Sequence, residues 1–180
     1  MSQLKIYSEE RAEKPLLESS DAETIAAELA KVGVLFERWP AKIELEENTS
    51  NEEIITAYQE DIQKLIEKTS YQTYDVININ PDVPDLEKLR QKFLSEHTHA
   101  DDEIRFFVKG KGLFVLHIQD KVYHLLCEQN DLISVPANTP HWFDMGSQPS
   151  FSCIRLFDSP AGWVANYTGS KIADRFELLN

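Results

Sequence analysis

Six short strand-like runs follow one another through the second half of the chain: Ile104–Val108, Leu113–Ile118, Lys121–Leu126, Leu132–Val135, His141–Asp144 and Phe151–Phe157. Turn residues separate most of them, at Lys109-Gly110-Lys111-Gly112, Gln119-Asp120, Gln129-Asn130-Asp131 and Met145-Gly146-Ser147. Strands this short, spaced this regularly, bury their apolar faces as an antiparallel sandwich or barrel. This pattern constrains the fold more than any other feature of the sequence.

Upstream the texture is mixed. Leu4–Tyr7, Val34–Trp39 and Tyr74–Ile79 read as strands. Ser20-x-x-Glu23 has the form of a capping box ahead of Ile25, Leu29 and Val32 at helical spacing, with Gly33 as the stop. Ser50-x-x-Glu53 is a second box, and Ile54, Ile55, Tyr58, Ile62, Leu65 and Ile66 continue it as one long helix. Asp85 is placed to cap a third helix carrying Leu86, Leu89, Phe93 and Leu94. The acidic run Glu44–Glu47 reads as a solvated edge. The expected class is α+β, mainly β: a single domain over residues 1–180, with a helical N-terminal half (about 1–95) packed on a barrel (about 96–160).

A chain of 180 residues is long enough for one sizeable core. The net charge of −13 offers no basic footprint for nucleic acid or an anionic membrane. It also repels anionic substrates at long range, so any anion must be held by local groups. No apolar run approaches the roughly 20 residues that span a bilayer, and the opening MSQLKIYSEERAEK lacks the apolar stretch of a signal peptide. Cys127 and Cys153 make no disulfide framework and suit a reducing compartment. The expectation is a cytoplasmic monomer.

The chemistry concentrates at Glu96-His97-Thr98-His99-Ala100-Asp101-Asp102-Glu103-Ile104-Arg105-Phe106-Phe107. Residues i and i+2 of a strand share a face, so His97 and His99 present two imidazoles together. After a turn, Glu103 opens the next strand, with Arg105 and Phe107 on its face. Two histidines and a carboxylate form the facial set of non-heme iron sites. His141 supplies a third imidazole and leaves two octahedral positions for substrate or water. Asp101 and Asp102 are rival carboxylates, ranked lower because they fall in the turn. His117 and His124 read as ordinary surface or core histidines.

The pattern His97-x-His99-x3-Glu103-x6-Gly110, followed by Pro136-x-Asn138-x2-His141, resembles the two motifs of cupins, jelly-roll barrels that carry a metal on three histidines and a glutamate. Lys92-Phe93-Leu94 with Glu96–Val108, Val135–Gly146, Ile154–Phe157, Gly162–Val164 and Gly33–Trp39 narrows the likeness to the acireductone dioxygenase family. Three positions depart from the cupin pattern, where Gln91, Asn130 and Asn138 replace expected glycines. Asparagine best tolerates positive φ among the other residues.

The resemblance implies one Fe(II) or Ni(II) per chain on His97, His99, Glu103 and His141, acting on 1,2-dihydroxy-3-keto-5-methylthiopentene and O2 in methionine salvage. With iron the family forms 4-methylthio-2-oxobutanoate and formate; with nickel it forms 3-methylthiopropanoate, formate and carbon monoxide. Arg105 is the candidate for holding the anionic substrate through charge-assisted hydrogen bonds, with a structural ion pair as its other reading. Phe93, Phe107, Phe143 and Trp163 are candidates for a dry wall around the methylthio tail, or plain core. A metal-dependent isomerase and a non-enzymatic cupin are the rival readings. An isomerase would turn over without O2, and a binding module would be expected to have lost a ligand.

Overall fold

The computed structural model describes residues 1–46, 48–69 and 71–180, so Glu47 of the acidic run lies outside the described residues. In chain order the elements are β1 (Gln3–Ser8), β2 (Leu17–Ser19), α1 (Ala22–Ala30), β3 (Leu35–Arg38), α2 (Asn51–Ala57), α3 (Gln59–Lys68), β4 (Thr73–Ile79) and α4 (Leu86–Leu94). Then follow β5 (His97–Thr98), β6 (Glu103–Lys109), β7 (Lys111–Ile118), β8 (Lys121–Glu128), β9 (Asp131–Val135), β10 (His141–Asp144), β11 (Phe151–Phe157) and β12 (Asn166–Tyr167). A 3-10 turn at Pro160–Trp163 precedes β12, and another at Ile172–Arg175 follows it.

Two antiparallel sheets face each other, a seven-stranded one ordered β12-β5-β10-β7-β8-β1-β2 and a five-stranded one ordered β3-β9-β6-β11-β4. This is the expected cupin-type barrel. The strands of the first half are woven into it: β1 pairs with β8 along its whole length, and β3 and β4 are the edges of the smaller sheet.

Three apolar layers follow. The barrel interior holds Phe107, Phe114, Leu116, Ile133, Phe143 and Cys153 among others. Ile54, Ile62 and Leu65 of α2 and α3 cover the outer face of the smaller sheet, against Ile104, Phe106 and Ile154. That cover explains why β6 is buried from Glu103 through Val108: with both faces enclosed, odd positions point into the barrel and even positions lie under the helices. The C-terminal segment covers the outer face of the larger sheet, laying Ile172 and Phe176 on Tyr7, Val115 and Trp142.

Local details differ from the sequence expectations in instructive ways. The Ser50–Glu53 capping box forms with both of its bonds. At α1 the cap is Asp21, not Ser20: its carboxylate accepts from Thr24 N at 2.8 Å and Thr24 Oγ1 at 2.7 Å, and a carboxylate also suits the positive end of the helix. The expected long helix is two, α2 and α3, so the described residues hold four helices where three were expected. The break is at Tyr58 (φ −104°, ψ 17°). Its ring is buried edge-on against Phe106, with its hydroxyl donating to Ile43 O at 3.2 Å. Asp85 stands at the start of α4 in the left-handed region (φ 56°) and makes no side-chain cap. Asn130 and Asn138 adopt positive φ, 83° and 61°, where the cupin pattern has glycine. Gly110 (φ 68°) is obligatory, because a Cβ there would collide with the Ser150 carbonyl.

Cys127 and Cys153 are buried and unbridged. Burial pushes the Cys153 thiol up to about 12, so it is inert as a nucleophile.

His124 is buried in the outer layer between the rings of Tyr7 and Phe176, with centroids 5.0 and 5.2 Å away, and its Nε2 has no hydrogen-bond partner among the described residues. Burial, with Lys5 nearby, pushes its pKa from 6.5 down to about 4. Between those values an unfolded chain takes up a proton that the folded chain refuses. Stability is therefore unaffected above about pH 6.5 and falls as pH drops toward 4, by on the order of 3 kcal/mol at most. His124→Leu is expected to flatten the urea-unfolding stability between pH 7 and pH 4.5. An unchanged slope would assign the acid sensitivity to other groups.

Candidate metal centre

His97 and His141 are cross-strand partners on β5 and β10. Their side chains share the barrel-facing side with Tyr167 of β12, which pairs with His97, and Leu116 of β7, which pairs with His141. His99 lies just past β5, and Glu103 opens β6 in the opposite sheet. The ring centroids are 4.4 Å apart for His97–His141, 5.1 Å for His97–His99 and 5.2 Å for His99–His141. One nitrogen from each ring falls within 4.8 Å of the other two. Glu103 Oε2 lies 3.7 Å from His99 Nε2 and 3.6 Å from His141 Nε2.

Main-chain carbonyls orient the imidazoles. Nδ1 of His97 bonds Ser95 O at 2.8 Å, Nδ1 of His141 bonds Thr139 O at 2.8 Å, and Nδ1 of His99 bonds Val164 O at 3.1 Å. A ring that donates from Nδ1 to a carbonyl leaves its Nε2 lone pair free, the outer-shell arrangement usual for metal-binding histidine. Aromatic rings back them: Phe114 stacks on His141 at 5.3 Å and 17°, and Phe157 meets His99 edge-on at 5.1 Å.

The electrostatics suit a cation. Burial lowers the pKa of all three histidines, to about 3 for His141. Burial alone would raise Glu103, yet the Arg105 guanidinium, with His141 and His99, brings it down to about 2. At neutral pH the cluster is thus three neutral imidazoles and one carboxylate, the protonation state a metal needs. His99 Nε2, His141 Nε2 and Glu103 Oε2 are buried without hydrogen-bond partners among the described residues. Three orphaned acceptors converging on one point are costly unless something positive sits among them. The donor set fits a divalent metal.

Arg105 is buried, donates from Nε to Glu103 Oε1 at 2.7 Å, and lies over the rings of Phe114 (5.0 Å) and Phe143 (5.5 Å). It therefore orients the glutamate first. The four aromatic candidates fall into two groups. Phe93, Phe143 and Phe107 form one, with Phe93–Phe143 at 6.1 Å and Phe107–Phe143 at 6.3 Å. Trp163 packs edge-on against Phe157 at 4.5 Å. Asp101 and Asp102 serve the backbone: Asp101 accepts from Ser159 N and Oγ, and Asp102 from Ala137 N.

Sequence reasoning gave no role to Phe114, Arg155 or Val164. Arg155 pairs in register with Arg105, holds Asp75 through two bonds of 2.9 and 2.7 Å, and lies over Trp163 at 4.9 Å. An arginine in phase with Cys153 and Phe157 along an apolar strand was the available signal. The Val164 carbonyl leaves no signal, because any residue could provide it.

A barrel of this topology, with three histidines and a carboxylate clustered on its inner side, defines a cupin metalloprotein. The ARD/ARD' family model matches residues 3–165. Acireductone dioxygenase of Yersinia enterocolitica is 56% identical over 180 residues, covering 100% of both chains. That of Cronobacter sakazakii is 56% identical over 179 residues, covering 99% of both. A solved acireductone dioxygenase from Bacillus anthracis, with a cadmium ion in its active centre, superposes with a TM-score of 0.80 at 30% identity, over 93% of this chain and 98% of that one. The chain belongs to the ARD/ARD' family, the acireductone dioxygenases.

Proposed function

We propose that the protein is an acireductone dioxygenase of methionine salvage, cleaving 1,2-dihydroxy-3-keto-5-methylthiopentene with O2. The observation that carries the reading is the buried cluster His97, His99, Glu103 and His141, in which His99, Glu103 and His141 each turn inward an atom without a partner among the described residues, in a chain that matches its relatives end to end. The metal-dependent isomerase alternative fares worse, since the likeness to dioxygenases covers the whole chain.

These four residues would hold one Fe(II) or Ni(II). When bound, that ion supplies Lewis acidity and a template that orients the substrate oxygens. Arg105 and Arg155 provide the local positive charge that a chain of net charge −13 needs to retain an anionic enediolate. Phe143, under Arg105, supplies apolar surface for the methylthio end together with Phe93 and Phe107, which pack against it, and Trp163 lies near His99 through Phe157. The whole chain acts as one domain, as a cytoplasmic monomer, without nucleic-acid or membrane partners.

Loading metal-free protein separately with Fe(II) and Ni(II) tests this. Under air, the iron form is expected to yield 4-methylthio-2-oxobutanoate and formate, and the nickel form 3-methylthiopropanoate, formate and carbon monoxide. Without O2 both should stop. Turnover that persists anaerobically would replace the dioxygenase reading with an isomerase.

A further inference from the structure

The strands that carry His97 and His141 meet at the weakest junction of the larger sheet. Strand β5 has two residues, and its ladder to β10 is the single pair His97–His141. One step to either side, Thr98 falls beside Pro140 and Glu96 beside Trp142, and neither step adds a paired position. With one paired position, the backbone holds the spacing of the two imidazoles only weakly.

Across this junction the outer face of the sheet carries a chain of polar bonds. Glu96 is 4% exposed. Its Oε2 accepts from His117 Nδ1 at 2.9 Å, and its Oε1 accepts from Thr168 Oγ1 at 2.6 Å. Its main-chain carbonyl accepts from Thr168 N at 3.1 Å, while the His117 main-chain N–H donates to Pro140 O at 2.8 Å. His117 Nε2 in turn faces Glu9 Oε2 at 2.9 Å. Thr168 and Glu96 lie one step to one side of the inner row Tyr167, His97, His141 and Leu116, and Pro140 and His117 one step to the other, so the Glu96–His117 bond crosses β10 diagonally over that row.

We propose that Glu96 and His117 are positioning residues for the metal centre. Their side-chain bond crosses β10 on the outer face, ties β5 to β7 over the single paired position, and holds His97 and His141 at the spacing a metal requires. Thr168 braces Glu96 from the β12 side. It anchors the C-terminal segment whose Val164 carbonyl orients His99, so one buried carboxylate acts on all three imidazoles. Both Glu96 oxygens are bonded, which a buried carboxylate needs in order to be retained at all. The inference rests on the metal reading above.

The test is to strip the full-length protein of metal and titrate it with Ni(II) by calorimetry, while recording the thermal unfolding of each metal-free form. His117→Leu is expected to raise the Ni(II) Kd by about 10–100-fold, the range for loss of an outer-shell partner. Thr168→Val should raise it in the same direction, and Thr168→Ser, which keeps the hydroxyl, should restore it. Variants that bind Ni(II) within about twofold of wild type, whatever their melting temperature, would overturn the proposal. If His117→Leu does not fold, the two Thr168 variants decide the matter on their own. Wild-type protein that takes up no Ni(II) would remove the metal reading itself, a result distinct from equal binding by wild type and variants.

Discussion

His141→Ala is expected to lose bound metal and to lower turnover by about 10³-fold or more, since a bound metal supplies several kcal/mol of charge stabilisation. The effect on the metal-free fold should be much smaller. In the absence of metal, His141 Nε2 is a buried acceptor with no partner, so deleting it removes a liability. What remains is the space left against Phe114, which stacks on the ring, at a cost of about 1–3 kcal/mol. Metal analysis and thermal unfolding of the metal-free protein separate the two effects. Near-normal metal content and turnover in the variant would exclude His141 from the cage.

The second large effect concerns Arg105. Arg105→Ala strands Glu103, 1% exposed, without the guanidinium that holds its carboxyl at about 2. Breaking a buried pair by deleting one partner costs about 3–5 kcal/mol, and losing a charge-stabilising donor costs about 10²–10³ in turnover. Metal affinity should fall as well, because the same carboxylate faces the imidazoles. The sequence suggested a substrate group independent of the cage; the 2.7 Å bond to Glu103 shows that the two are joined. Arg105→Lys distinguishes the roles: a lysine restores the charge beside Glu103 but lacks the planar fork, so stability should recover more than turnover. Turnover unchanged in Arg105→Ala would leave it a structural ion pair only. The pH dependence follows from Glu103. Its pKa is depressed from 4.5 to about 2, so the stabilisation is complete above about pH 4.5 and is lost as pH falls toward 2.

The barrel strands were legible because both of their faces are buried and their ends carry turn residues. His141–Asp144 and Phe151–Phe157 coincide with the expected runs, β6 is longer by a residue at each end, and β7, β8 and β9 are longer by a residue or two at one end. Strand β12 was not legible, since two residues have no periodicity; a strand through His97 and His99 was expected, and β5 covers only His97–Thr98, with His99 just past it. The break at Tyr58 was hidden for a related reason: its apolar spacing suits one helix, and the bend comes from burying a ring on Phe106. The four clustered side chains could be chosen from spacing because a metal needs particular atoms. The carbonyls that orient them could not, because a backbone oxygen is the same in every residue.

The pairing of β1 with β8 bears on how the molecule is made. Gln3 meets Leu126 and Ser8 meets Lys121, so during synthesis β1 stays without this neighbour until more than a hundred further residues have followed. Loop closure over such a separation is slow, and an unpaired strand edge invites association with other chains. Charge counters that hazard: with 31 acidic against 18 basic residues, unfinished chains repel one another while they wait. The surplus of carboxylates that burdens substrate capture thus favours safe synthesis.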